Sequence, residues 1–186
     1  MTFLSNQDSD ISKPQKAIKE TAKKTINIPE TESNFISSIN NLIDDYKKAP
    51  NEMKKSAIRT MRGVSIQKAL NSSFNVSQWI GKIKKISTNG DGKGILEISL
   101  EGTGFILKTW NNALSDMMAN TLIPQNSDLF NTVSEMEKGQ RIIFSGNFFP
   151  SDKNDFVQES SMTEYGSMST PEFIFRFNSV VPYLDK

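Results

Sequence analysis

Residues 76–110, VSQWIGKIKKISTNGDGKGILEISLEGTGFILKTW, decide the fold class. They fall into three apolar-rich runs, separated by Asn89-Gly90-Asp91-Gly92 and by Gly102-Thr103-Gly104. Glycine and asparagine accept positive φ at little cost, so each separator predicts a chain reversal and the runs predict three antiparallel strands. In the first run Trp79, Gly81 and Ile83 share one side and Ile80, Lys82 and Lys84 the other. Ile83 and Ile86 are three apart, so both point inward only if a β-bulge sits at Lys84-Lys85. The second run sets Leu96, Ile98 and Leu100 against Ile95, Glu97 and Ser99. The third sets Phe105, Leu107 and Thr109 against Ile106, Lys108 and Trp110.

Toward the N-terminus, Phe35, Ile36, Ile39, Leu42, Ile43 and Tyr46 recur at spacings of three and four and predict a helix that Ala49-Pro50 ends. A second helix is predicted after Asn51, with Met53, Ala57, Ile58, Met61 and Val64 as its apolar face and Lys54, Lys55, Arg59 and Arg62 turned elsewhere. Gly63 weakens its continuation to Leu70. Residues 1–31 are polar and interrupted by Pro14 and Pro29, and read as a disordered tail. The division expected is a tail at 1–31, a helical hairpin at 32–72, basic in its second half, and a β-rich domain at 73–186.

Toward the C-terminus, residues 111–127 read as a connector of undefined form. Ser127 is an N-cap for a short helix with Leu129, Phe130, Val133 and Met136 on one face, which Lys138-Gly139 stops. Ile142, Phe144, Gly146 and Phe148 then alternate, and Phe173, Phe175 and Phe177 point one way in a last strand as barrel core.

Composition bounds the chemistry. The 186 residues contain neither cysteine nor histidine, which excludes thiolate or imidazole zinc ligation, a cysteine nucleophile and a Ser-His-Asp triad. The net charge of +1 conceals a segregation: residues 1–46 carry −2, 47–85 carry +9 and 86–186 carry −6. The start, MTFLSNQDSD, has no basic n-region or apolar run, and no stretch has the length of a membrane span, so the expectation is a cytoplasmic chain.

Three strands, a helix and two or more further strands follow the order of the OB-fold, a Greek-key barrel with a helix between its third and fourth strands. The fold expected is therefore mainly β with α: a five- to six-stranded barrel of this type behind the helical hairpin. WIGKI at 79–83, DGKGILEISL at 91–100, TWNN at 109–112, SDMMANTLI at 115–123, IIFSGNF at 142–148 and PEFIFRF at 171–177 give the chain a resemblance to small bacterial proteins of no assigned activity. Their OB-fold is similar to tRNA-anticodon-binding domains. That resemblance covers about residues 74–182 and implies nucleic-acid or oligosaccharide binding.

The usual OB-fold binding face selects Lys82, Lys84, Lys85, Lys108, Trp110 and Arg176. Cations neutralise phosphate and an aromatic platform stacks bases, so this set predicts single-stranded nucleic acid. Lys54, Lys55, Arg59 and Arg62 extend the set if they form a stripe beside the barrel. Two rivals stand beside that reading: Trp110 packs against the hairpin, or the basic hairpin docks on the acidic barrel and spends its charge internally. The residues 89–100 resemble a calcium loop but place Lys93 at its fifth position and Leu100 at its twelfth, so a hairpin turn is the better reading. The Gly-Lys pairs lack the rest of a phosphate loop. The expectation is a non-enzymatic module without cofactor or metal that binds single-stranded nucleic acid modestly. The alternative is a protein-interaction module, or a self-associating one, using the hairpin and the outer barrel face.

Overall fold

The computed structural model describes residues 26–153 and 155–184. The expected tail falls almost wholly on residues 1–25, outside the described residues. Two helices come first, α1 (Glu30–Lys48) and α2 (Glu52–Ala69). They are followed by β1 (Asn75–Thr88), β2 (Gly94–Leu100), β3 (Ile106–Lys108), α3 (Ala113–Asp116), α4 (Asp128–Ser134), β4 (Arg141–Phe148), α5 (Glu164–Ser169) and β5 (Glu172–Pro182). The five strands close into a mixed barrel in the order β1-β2-β3-β5-β4, in which only β3 and β5 run parallel.

The alternation read in the strands is the alternation observed. Trp79, Ile83, Leu96, Ile98, Leu100, Leu107, Ile142, Phe144, Phe148, Phe173, Phe175 and Phe177 all lie in one buried core. The expected bulge falls between Ile83 and Lys85. A second irregularity lies between Val76 and Trp79, where Gln78 takes a φ of 58°. These shifts bend the long β1 so that it pairs with both β2 and β4 and closes the barrel. Tight approach is met by glycine: a Cβ on Gly146 would overlap the Arg176 carbonyl and the Phe175 ring.

The hairpin shares the barrel's core. Acidic Glu30 in the first turn of α1 and Lys47 and Lys48 in its last complement the helix dipole. Its apolar face delivers Phe35, whose ring lies 5.2 Å from Trp79, 5.3 Å from Phe148 and 5.2 Å from Phe173. Thr31 Oγ1 accepts from Trp79 Nε1 at 3.1 Å, and Glu32 Oε2 accepts from the Ile80 N–H at 2.8 Å. The α1 start is thereby keyed to the start of β1. Near the end of β1 the barrel is covered by α4, capped by Ser127 as read, with Phe130 against Gly94 and Val133 in the core.

Three readings need correction. Helix α2 does not bury its Met53-Ala57-Met61-Val64 stripe; it buries Ile58, Arg62, Gly63 and Ile66, because its arginines turn toward carboxylates of the segment after β4. Helix α4 ends at Ser134 rather than at Lys138-Gly139, with Met136 still buried beyond it. The connector contains α3, and α5 before β5 was unanticipated.

Glu32 is fully buried with its second oxygen unpartnered, and burial, the Ile80 N–H notwithstanding, pushes its carboxyl up to about 7, with Glu101 adding repulsion. A raised folded value means the stability it contributes is complete below about pH 4.5 and is lost as pH rises through about 7. We expect Glu32→Gln to gain about 3 kcal/mol relative to the wild type between pH 4.5 and pH 8. Urea unfolding across that range checks it, and a pH-independent difference contradicts it.

Candidate binding surface

The outer face of β1, β2 and β3 carries an alternating ladder of charge. Lys85 stands opposite Glu97, and Glu97 stands opposite Lys108. Adjacent strands bring side chains at paired positions to within interaction distance, so opposite signs there attract. Lys85 Nζ lies 4.0 Å from Glu97, and Lys108 Nζ reaches past the ladder to Glu172 of β5 at 2.7 Å. Glu172 is held below the usual carboxylate range by that hydrogen bond, and Lys108's charge and that of Lys84 act in the same direction. Only 19% of the Lys108 side chain is exposed. Lower on the face, Glu101 accepts from Lys82 at 3.2 Å and from Nε and Nη2 of Arg141 at 3.2 Å each. Burial raises the Glu101 carboxyl, but the two cations outweigh it and hold it down.

Of the remaining expected cations on the barrel, Lys84 is exposed and has no ion pair among the described residues, and Arg176 is exposed over the Phe149 ring at 5.7 Å. Trp110 is half-buried. Its backbone N–H donates to Thr121 Oγ1 at 2.7 Å, which draws the main chain there into the loop that follows β3.

That loop is built around Asp116. The buried carboxylate accepts from Thr121 N at 2.5 Å, Thr121 Oγ1 at 2.7 Å and Leu122 N at 3.1 Å, while Asn112 caps α3 through Ser115 N at 2.8 Å. With its backbone so fixed, the loop holds Leu114, Met117 and Met118 in solvent. The sequence signal for this brace was the Asn112-x-x-Ser115 cap and the Asp116…Thr121 spacing, both inside the segment read as a plain connector.

The α2 cations divide. Arg62 is 0% exposed: Nη1 donates to Ser167 O at 2.7 Å, and Nη2 to Asp155 at 3.3 Å, to Ser167 Oγ at 3.1 Å and to Glu159. Arg59 grips Asp155 with two parallel bonds of 2.8 and 2.7 Å, and Glu164, 3.8 Å from Arg59, accepts from Tyr46 Oη at 3.0 Å. Burial drives Asp155 up, yet the Arg59 fork and both guanidinium charges hold it below its ordinary value. Burial pushes Glu159 up against the pull of Arg62. A polar pocket of about 290 Å³ lies beside this cluster. Lys55 bonds Glu52 at 2.8 Å, whereas Lys54 is exposed and has no ion pair among the described residues. The structure therefore sets Arg59 and Arg62 inside a joint between α2 and the segment after β4, and Arg62 has no surface to offer phosphate.

Among the described residues no group of acidic side chains is placed to hold a metal ion, and no helix is long and apolar enough to cross a membrane. The chain matches no family model, curated protein or solved structure.

Two outcomes follow from these networks. Arg62→Ala leaves Glu159 and Asp155 uncompensated in a buried site and is expected to cost about 3–5 kcal/mol in chemical denaturation. Asp116→Ala strands three donors, should cost about 2 kcal/mol, and should raise amide exchange across residues 111–122 while the strands stay protected.

Proposed function

We propose that this chain is a non-catalytic binding module on an OB-type barrel and that its ligand is a protein surface rather than nucleic acid. The observation that carries the choice is the disposition of charge against apolar area. Lys82, Lys85, Lys108, Arg59 and Arg62 are engaged by the chain's own carboxylates. Binding phosphate through them means breaking those pairs and bringing polyanion near Glu97, Glu101 and Glu172, which offsets the counterion release that drives nucleic-acid affinity. Beside the exposed cations Lys54, Lys84 and Arg176, the open surface carries large apolar side chains: Met53, Met61 and Val64 on α2, and Leu114, Met117 and Met118 on the braced loop. Unbranched methionine adapts to varied apolar partners, and a backbone already fixed lowers the ordering cost of association.

The OB-type assignment is supported by the strand order, the parallel β3–β5 contact and the helices between β3 and β4. It accords with the resemblance of residues 74–182 to the bacterial OB-fold proteins. A second reading, single-stranded nucleic acid bound modestly, is favoured by Lys84, free of an ion pair among the described residues, and by the partly open Trp110 two residues beyond Lys108.

Fluorescence anisotropy with labelled single-stranded DNA and RNA at low and moderate salt separates the two. We expect weak binding at low salt at most, unchanged by Trp110→Ala. Tight binding that falls steeply with salt and is lost in Lys84→Ala and Trp110→Ala overturns the protein-binding reading in favour of the second.

A further inference from the structure

Helix α2 carries two stripes of different character. Ile58, Arg62 and Ile66 face the molecule's interior, spaced four residues apart. Met53, Ala57, Met61 and Val64 recur at four, four and three, so they form a continuous apolar line on the opposite side. Met53 is 86% exposed, Met61 54% and Val64 62%. An exposed apolar line of this length along one helix face is the geometry of a helix-docking surface.

Concavities flank it. On one side Leu42, Ala49, Pro50, Ile58 and Met61 line a hollow of about 320 Å³. On the other, Gly63, Val64, Phe74, Pro150 and Phe156 line one of about 370 Å³. Each is concave and part apolar, so each takes a projecting side chain. A flat lipid surface cannot fill them, and the stripe lacks the aromatic and leucine side chains of an interfacial helix.

Charge selects the partner's sign. Lys48 and Lys54 rim the first hollow against one carboxylate, Asp45, and Lys153 rims the second. Lys68, also exposed, adds a positive charge on α2 itself. A second copy presenting the same face would set lysine against lysine, which disfavours a two-fold contact.

We infer that the outward face of α2 docks an acidic amphipathic helix of a partner protein, with two apolar side chains entering the flanking hollows. This rests on the protein-binding reading above and names the partner's chemistry. The stripe supplies adaptable apolar contact, the hollows fix register, and the lysine rim rejects basic helices.

The test uses the full chain with two labelled synthetic helices sharing one leucine stripe, flanked in one by glutamate and in the other by lysine. The glutamate peptide is expected to bind at least about tenfold more tightly at low salt. Met61→Glu and Val64→Glu, both at exposed positions, should weaken it about tenfold with unchanged thermal unfolding. The double reversal Lys54→Glu/Lys68→Glu should transfer preference to the lysine peptide. Equal binding of the two peptides, no binding of either, sedimentation with phosphatidylserine vesicles, or self-association abolished by Met61→Glu each overturns the inference. Its failure with inert single-stranded DNA leaves protein recognition to the 111–120 loop; steep salt-dependent DNA binding removes the underlying reading as well.

Discussion

The buried guanidinium of Arg62 determines how α2 is rolled, and through that roll it determines which surface the molecule offers. Its Nη1 and Nη2 donate to Asp155, Glu159 and Ser167, its buried Nε has no partner among the described residues, and the neighbouring Arg59 takes both oxygens of Asp155. Burying a charge is tolerable only where it is paired and hydrogen-bonded, and even then the net gain over an apolar contact is small. What such a cluster supplies is orientation: a helix turned by one residue would leave a guanidinium and two carboxylates without partners. The same cluster ties down the segment after β4, which makes little regular structure of its own beyond two isolated bridges and α5. Helix and segment thus order each other.

The charge segregation along the chain resolves into two kinds of pairing. The basic hairpin does meet acidic residues of the barrel domain, through Arg59 and Arg62 on Asp155, Glu159 and Glu164. The lysines of β1 and β3 are met by nearby carboxylates of the sheet, Lys82 and Lys85 across the +9 and −6 segments and Lys108 within the −6 segment itself. A face made of alternating signs has a weak far field, which is poor at drawing in a polyanion.

The barrel was legible because period-two alternation and glycine-rich turns are local signals. Phe173, Phe175 and Phe177, and the Lys84-Lys85 phase shift, needed no knowledge of the rest of the chain. Helix α2 was misread because its two stripes compete. Counting apolar residues favours Met53, Met61 and Val64, and nothing within the helix reveals that Asp155 and Glu159, some hundred positions on, will accept Arg62. The pairing of Lys108 with Glu172 was invisible for the same reason: it depends on the parallel β3–β5 contact that closes the barrel. Asp116 was missed differently, since a loop held by one carboxylate has neither period nor apolar pattern.

The shared core sets the relation between the two exposed apolar surfaces. Phe35, Ile39, Ile66 and Leu70 belong to the cluster that fills the barrel, so the hairpin is not an arm free to swing. It sits where β1 begins, β4 ends and β5 begins, since Phe35 meets Trp79, Phe148 and Phe173. The loop bearing Leu114, Met117 and Met118 leaves β3, which runs parallel to β5 and so away from that end, and returns at Ile123, bonded to Gly94 where β2 begins. That is the end α4 covers. A helix lying along α2 therefore leaves the loop open. Two apolar surfaces on one body are thus directed to different ends of the barrel.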